Sequence, residues 1–361
     1  MNADMTSDAA LHWRDLPSPV LALLRQGSVI PAHPLALGPD RRFDKQSQRA
    51  ISRYYVDAGS GGLAVGVHST QFAIRDVGLY RPVLELAIET AREWTDRPLI
   101  MIAGAVGKTA QAVEEARTAR SLGYHAVLLS LAALKGASED ELIEHCTAVA
   151  REMPLVGFYL QTAVGGIPLS RAFWARFAAI DNVVAIKVAP FNRYRTLDVA
   201  VGIAQAHAEE RITLYTGNDD HIVADLLTPM VVRTGNREVT LRFQGGLLGH
   251  WSVWTRGAVE MLERLKLSVK AGAIPPEMLA LDSFVTDCNS VVFDVDHDFS
   301  GCIPGCHEIL RRQGLMTSIE CLDPHETLSP GQSAGIDRLY ATYPELNDDA
   351  FVAANLERWR N

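Results

Sequence analysis

A (β/α)8 barrel followed by a C-terminal helical extension is the fold this sequence predicts, and three observations predict it. Short apolar runs of strand length alternate with helix-patterned stretches from about residue 28 to about residue 255. Eight such runs occur, and the first is not followed by the G-x-G-x-x-G that would argue for an open dinucleotide-binding sheet. The chain has 361 residues, 48% hydrophobic and 21% charged, enough to build one barrel with further helices packed on it.

The strands fall, in order, at residues 28–36, 62–67, 98–103, 125–130, 154–159, 183–187, 212–215 and 240–244. Their Val, Ile, Leu and Ala content shows little polar alternation, as expected of strands covered on both faces. Between them, residues 110–122 and 139–151 carry Ala, Val, Glu and Arg at helical spacing. Strands alternating with helices imply parallel pairing through right-handed crossovers. Beyond Trp254 the pattern turns helical, at 259–269, 276–288, 304–313 and 349–360. Connections rich in Asp, Ser, Pro and Gly are expected at 294–301 and 324–335. The division expected is a helical lead-in over 1–27, the barrel over 28–255 and a helical appendage over 256–361.

Composition narrows the function. A net charge of −9, a pI near 5.7 and no concentrated run of Lys and Arg argue against nucleic acid as a partner. The longest apolar stretches are strand-sized, so no membrane span is expected. Residues 1–14 carry acidic side chains and lack a basic-then-apolar leader pattern, which predicts a cytoplasmic protein. The five cysteines, Cys146, Cys288, Cys302, Cys306 and Cys321, are an odd set placed late in a large chain and do not form a disulfide framework. Cys302-x-x-x-Cys306-His307, with His297 upstream, is a poor zinc set, because adjacent Cys306 and His307 would not chelate one ion from a helix. Neither a metal nor a cofactor is expected.

The residue that points to chemistry is Lys187, alone within Val183-Val184-Ala185-Ile186-Lys187-Val188-Ala189-Pro190. An unpartnered ammonium in an apolar strand costs several kcal/mol, roughly, unless its pKa drops well below the free value of about 10.4. A neutral lysine amine is a nucleophile towards carbonyl carbon. The bland alternative is a lysine at the strand mouth that snorkels or pairs with a carboxylate. In a barrel the chemistry lies at the C-terminal strand ends. Those ends carry His33, then His68-Ser69-Thr70-Gln71, Tyr159, Lys187, Gly217-Asn218-Asp219-Asp220, and Gly245-Gly246 followed by His250-Trp251. Taken singly these are ordinary: a strand-end tyrosine is usually core, and Asn-Asp-Asp is usually a helix cap. Together they place groups that handle protons and carboxylates around one mouth.

Gly157-Phe158-Tyr159, Gly165-Gly166-Ile167-Pro168-Leu169-Ser170 and Asn182-Val183-Val184-Ala185-Ile186-Lys187 resemble the core of the dihydrodipicolinate synthase/N-acetylneuraminate lyase family. The resemblance implies a class I aldolase barrel and a Schiff-base-forming lyase (aldolase or dehydratase) acting on a 2-oxo acid, pyruvate-related or sugar-derived. It assigns Lys187 as the Schiff-base lysine and Tyr159, 28 residues earlier, as the proton-shuttling tyrosine. Ser69 and Thr70 would hold the carboxylate, and His68 stands where the family has the first threonine of a Gly-Thr-Thr-Gly-Glu loop, so it is assigned to acid–base work. The second substrate's site would draw on Gln161, Asn192, Arg193, Asn218, Asp219, Gly246 and His250. The chain departs from the family in two further places. Ser130-Leu131-Ala132-Ala133-Leu134 lacks the tyrosine that the synthases lend across a dimer, and Leu160-Gln161-Thr162-Ala163-Val164 lacks their carboxylate-gripping arginine. Lysine biosynthesis is therefore not the expected role, and a homodimer or homotetramer with a site complete in each subunit is. Two alternatives stay open: a non-catalytic oxo-acid-binding protein, and a metal-dependent aldolase using His33, His68 and His250 with Asp219.

Overall fold

The computed structural model describes residues 9–361, so most of the segment read for a leader, residues 1–8, lies outside the described residues. Among the described residues ten strands form: β1 (Val29–Pro31), β2 (Gly62–Val65), β3 (Ile100–Ala105), β4 (Ala126–Leu129), β5 (Leu155–Leu160), β6 (Val183–Ala189), β7 (Thr213–Thr216), β8 (Met230–Thr234), β9 (Arg237–Leu241) and β10 (Phe243–Leu248). Eight of them build one parallel sheet in the order β1-β10-β7-β6-β5-β4-β3-β2, and the Ala32–Ala64 bridge joins its two ends into a barrel. The (β/α)8 architecture read from the sequence is the one observed.

Helices alternate with these strands: α1 (Ser18–Gln26), α2 (Lys45–Ala58), α3 (Tyr80–Trp94), α4 (Thr109–Leu122), α5 (Glu139–Ala150), α6 (Arg171–Ala178), α7 (Arg193–Gln205), α8 (Ile222–Leu227), α9 (Thr255–Ala271), α10 (Pro276–Val292), α11 (Cys302–Arg312), α12 (Gln332–Thr342) and α13 (Asp349–Arg360). Local sequence explains their ends. Ser138 caps α5, accepting from the Glu141 amide, while the Glu141 carboxylate accepts from the Ser138 amide at 2.7 Å, a reciprocal capping box. Helix α9 packs on α2, β1 and α8, so it closes the helix ring, and the helices beyond the barrel begin with α10.

Two expectations differ from the structure. Residues 230–241 form an antiparallel hairpin, β8–β9, outside the barrel, and the eighth barrel strand follows it at Phe243–Leu248 rather than at 240–244. The two-residue Gly235-Asn236 turn, with Gly235 at φ +56°, is the hairpin signal. The stretch 324–335, expected as a connection, ends in the first residues of α12.

Alternation along each strand separates two cores. Ile30, Ile100, Ile102, Leu128, Val156, Phe158, Ala185, Ala189 and Leu247 fill the barrel lumen, and Val20 and Leu24 of α1 close its N-terminal end. Val65, Ala103, Tyr159, Ile186 and Val188 face outward into the shell between strands and helices. Position 187 has the inward parity of 185 and 189.

Candidate active site

Lys187 enters the lumen near the C-terminal end of β6, where it is 9% exposed. Its shaft has room because residue 217, at the end of β7, is glycine: a Cβ there would lie 2.7 Å from the lysine Cε. The ammonium nitrogen sits 4.5 Å from the centroid of the Phe158 ring, a cation–π contact in place of a hydrogen bond. Burial pushes the amine down to about 8, and the charge of Asp219 opposes the shift. A substantial share of the amine is therefore neutral near pH 8.

Asp219 follows β7 and lines the same cavity. Burial raises its carboxyl towards neutrality, against the pull of Lys187 and the backbone N–H of His250. One of its oxygens, Oδ1, is buried with no hydrogen-bond partner among the described residues. His68 and Ser69 lie on a short 3-10 turn after β2, and both line the cavity. Burial, aided by the charge of Lys187, lowers His68 to about 4, so its imidazole is neutral at physiological pH. Gln161 sits at the cavity rim and is half-buried.

Other residues expected at the site are placed elsewhere. Tyr159 does not reach the mouth. It faces the outer shell, its ring 5.1 Å from that of Trp174, and its hydroxyl donates to the Leu169 carbonyl at 3.2 Å. The reason is a bulge. Leu155 pairs with Val183, 28 residues on, but Val156 pairs with Ala185, leaving Val184 extra, and from there Phe158 pairs with Lys187, 29 residues on. The side chain beside the lysine is thus Phe158. Thr70 is fully buried, its hydroxyl donating to the His33 carbonyl at 2.7 Å and accepting from the Gly66 amide at 2.9 Å. Asn192 is exposed and caps α7 through the Arg195 amide. Arg193 pairs with Asp225, which also accepts from Thr216 and from the buried Asn218. Gly246 faces the shell, where a Cβ would meet the Trp251 ring. His250 is buried against Trp254, near the site through its backbone alone. Of the remaining candidate ligands, both nitrogens of His33 are engaged, by Ser52 and by Pro34 and Gln48, His297 bonds Asp294, and His307 bonds the Ile319 carbonyl. Among the described residues no group of three His, Cys, Asp or Glu side chains converges as a metal site would require.

The cavity, about 70 Å³, is also lined by residues that the sequence did not assign to the site: Phe158, Leu160, Phe191, Phe293, Phe299 and Cys302. The last three come from the C-terminal appendage, which folds back over the barrel mouth. Their positions depend on that tertiary packing, and no local pattern announces them.

A parallel eight-stranded barrel with a lysine in its C-terminal mouth is the class that fold and site define. The model of the dihydrodipicolinate synthetase family matches residues 26–232, more than half of the chain, and the protein belongs to that family. It is 25% identical over 202 residues to a 4-hydroxy-tetrahydrodipicolinate synthase of Moorella thermoacetica, covering 54% of this chain and 65% of that one. It is 29% identical over 127 residues to a probable 5-dehydro-4-deoxyglucarate dehydratase of Acinetobacter baumannii, covering 35% and 41%. The chain thus spans less than two thirds of the length of either relative. A prophage protein of the dihydrodipicolinic acid synthase family from E. coli K12, solved in complex with pyruvate, shares the fold at a TM-score of 0.71, with 18% identity over 89% of this chain and 98% of that one. Among the described residues no helix is long and apolar enough to cross a membrane.

Proposed function

We propose that the protein is a Schiff-base-forming lyase of 2-oxo acids in which Lys187 is the nucleophile and Asp219 carries the proton that a tyrosine carries in the synthases. The observation that supports this most is the lysine itself, buried in the lumen with a lowered pKa and an aromatic face as its close neighbour. The neutral amine attacks C2 of the oxo acid, water leaves, and a protonated imine forms. Loss of a C3 proton, or cleavage of the C3–C4 bond, sends an electron pair into that iminium and gives an enamine. Phe158 has no proton to move. The Asp219 carboxyl, raised towards neutrality and with an unpartnered oxygen, suits taking and returning one. Ser69 and the neutral His68 are assigned to the carboxylate as hydrogen-bond donors.

Borohydride trapping tests the reading. Wild-type protein incubated with pyruvate and reduced should gain one covalent adduct by intact mass, mapped to Lys187. In D2O the methyl protons of pyruvate should exchange, which reports enamine formation without knowledge of the full substrate. The absence of a tyrosine at the Phe158 position favours a second reading, a binding protein that forms the imine and goes no further. An adduct without proton exchange would establish that reading.

A further inference from the structure

The roof over Lys187 has a chemistry of its own. Six apolar side chains surround the space above the amine: Phe158, Leu160, Val164, Phe191, Phe293 and Phe299. Phe191 and Phe299 meet edge to face, with ring centroids 6.0 Å apart. Both stand on left-handed backbone, Phe191 at φ +49° and Phe299 at φ +67°, where a phenylalanine is rarely found. The segment carrying Phe299 repeats the strain, with Asp294 at φ +56° and Asp298 at φ +53°. It is held there by Asp294, whose carboxylate accepts from the Gly301 amide, Ser329 and His297 and whose carbonyl accepts from the Phe299 amide. Backbone strain that the surroundings over-determine is a mark of functional placement. Here it points two aromatic rings at one opening. Lys187, Asp219, His68 and Ser69 ring the position of an oxo-acid head, Gln161 is the one amide side chain at the rim among the described residues, and the arginine that would grip a distal carboxylate is absent from residues 160–164.

We infer that the substrate is a 2-oxo acid with an apolar, aromatic-sized tail, packed against Phe191 and Phe299, and not a polyhydroxylated sugar acid. The inference rests on the Schiff-base reading for where the head group sits. A chain of hydroxyls laid against these rings would lose water and find only Gln161 as an amide partner, whereas a phenyl tail gains burial and edge-to-face contacts. Phe293 and Phe299 also lie beyond residues 26–232, so this part of the roof lies outside the family match.

The test compares two acids, 2-oxo-4-phenylbutanoate and a six-carbon 2-oxo-3-deoxyaldonate, with pyruvate as the reference for the head group. In borohydride trapping, the phenyl acid should reach half-maximal adduct at a concentration lower by about tenfold or more. Phe299→Asn keeps the left-handed backbone, which Asn tolerates, and removes the ring. It should bring the two acids to within about threefold of each other, read as the ratio of their half-maximal concentrations in the same variant so that any change common to all oxo acids cancels. Equal or tighter trapping of the hydroxylated acid by the wild type would overturn the inference while leaving the Schiff-base reading intact. Should pyruvate itself leave no adduct, that reading fails, and calorimetric binding of the same two acids to the wild type decides the matter. Preference for the phenyl acid then upholds the apolar roof, and no preference overturns it.

Discussion

The two ends of the barrel place their polar groups differently. At the N-terminal end, Asn182 donates from its amide to the carbonyls of Leu11 and Ala150, at 3.0 and 2.8 Å, and accepts from the Trp13 amide at 2.9 Å. Tyr215 donates to the Leu24 carbonyl at 2.8 Å, and Asp181 is shared by Arg14 and His12. A groove of about 620 Å³ on that side, larger than the mouth cavity, has Arg237 paired with Glu209 and Glu238 paired with Arg233. At the C-terminal end, Lys187 rests on an aromatic face, Asp219 Oδ1 and His250 Nδ1 have no partner among the described residues, and two phenylalanines stand on left-handed backbone. Buried polar groups in a folded chain are ordinarily satisfied. Unpartnered polar atoms also occur at the N-terminal end, on Trp13, Ser28 and Glu209, so the mouth is distinguished by Asp219 sharing one cavity with a lysine that makes no ion pair among the described residues.

The strongest way to break this contrast is Lys187→Met, which removes the amine at similar length. Adduct formation and proton exchange should be lost completely. The melting temperature should hold or rise, because an ammonium that makes no ion pair among the described residues no longer has to be desolvated. A variant that still forms an adduct would move the nucleophile to another lysine. Asp219→Asn comes next. Proton exchange at pyruvate C3 should slow on the order of a hundredfold, read by NMR, with the fold unharmed because the aspartate Oδ1 makes no hydrogen bond to lose. An unchanged exchange rate would remove Asp219 from the proton path.

Acidity sharpens the same contrast. Imine formation needs the neutral amine, whose share falls about tenfold for each pH unit below its pKa. With the amine lowered to about 8 by burial, initial trapping rates should climb steeply with rising pH and level off near pH 8. A climb continuing to about pH 10, where an ordinary lysine titrates, would contradict the lowered pKa. At the other end, Asn182→Ala should cost about 2–3 kcal/mol of stability, by chemical denaturation, since it strands two carbonyls and one amide. Trapping should be unaffected. A change in trapping without a change in stability would mean that the closed end communicates with the mouth.

Much of this organisation was legible in the residues, for definable reasons. The parallel barrel follows from apolar runs alternating with helical patterns, and a lysine within a run of Val, Ile and Ala announces its own desolvation. Asn218 and Asp219 mark the boundary of what could be read. Adjacent and alike in sequence, both are candidates for the substrate site. Asn218 spends its side chain on Asp225, Thr196 and the Phe191 amide, while Asp219 faces the cavity. Which of two neighbours turns inward is decided by the loop path after β7. The aromatic roof was less legible still, because Phe293 and Phe299 reach the mouth only when the appendage folds back on the barrel.

The smallest effect separates the two residues at the end of β5. Both faces of this strand are apolar, so Val156, Gly157, Phe158 and Tyr159 give no alternation from which to read which side faces the lumen. A sequence separation of 28 singles out Tyr159, and it holds at the start of the pairing, between Leu155 and Val183, but the bulge at Val184 advances the register by one and delivers Phe158 to Lys187 instead. Tyr159→Phe removes a hydroxyl whose partners are the Leu169 carbonyl and amide, each at 3.2 Å. The loss of these long bonds should cost about 0.5–1.5 kcal/mol. Trapping, exchange and their pH dependence should match the wild type within error, because the hydroxyl lies on the shell side of the strand, beside Trp174. Loss of exchange in Tyr159→Phe at full stability would show that the tyrosine hydroxyl reaches the imine after all, and the register of β5 against β6 would then be the part of the structure to revise.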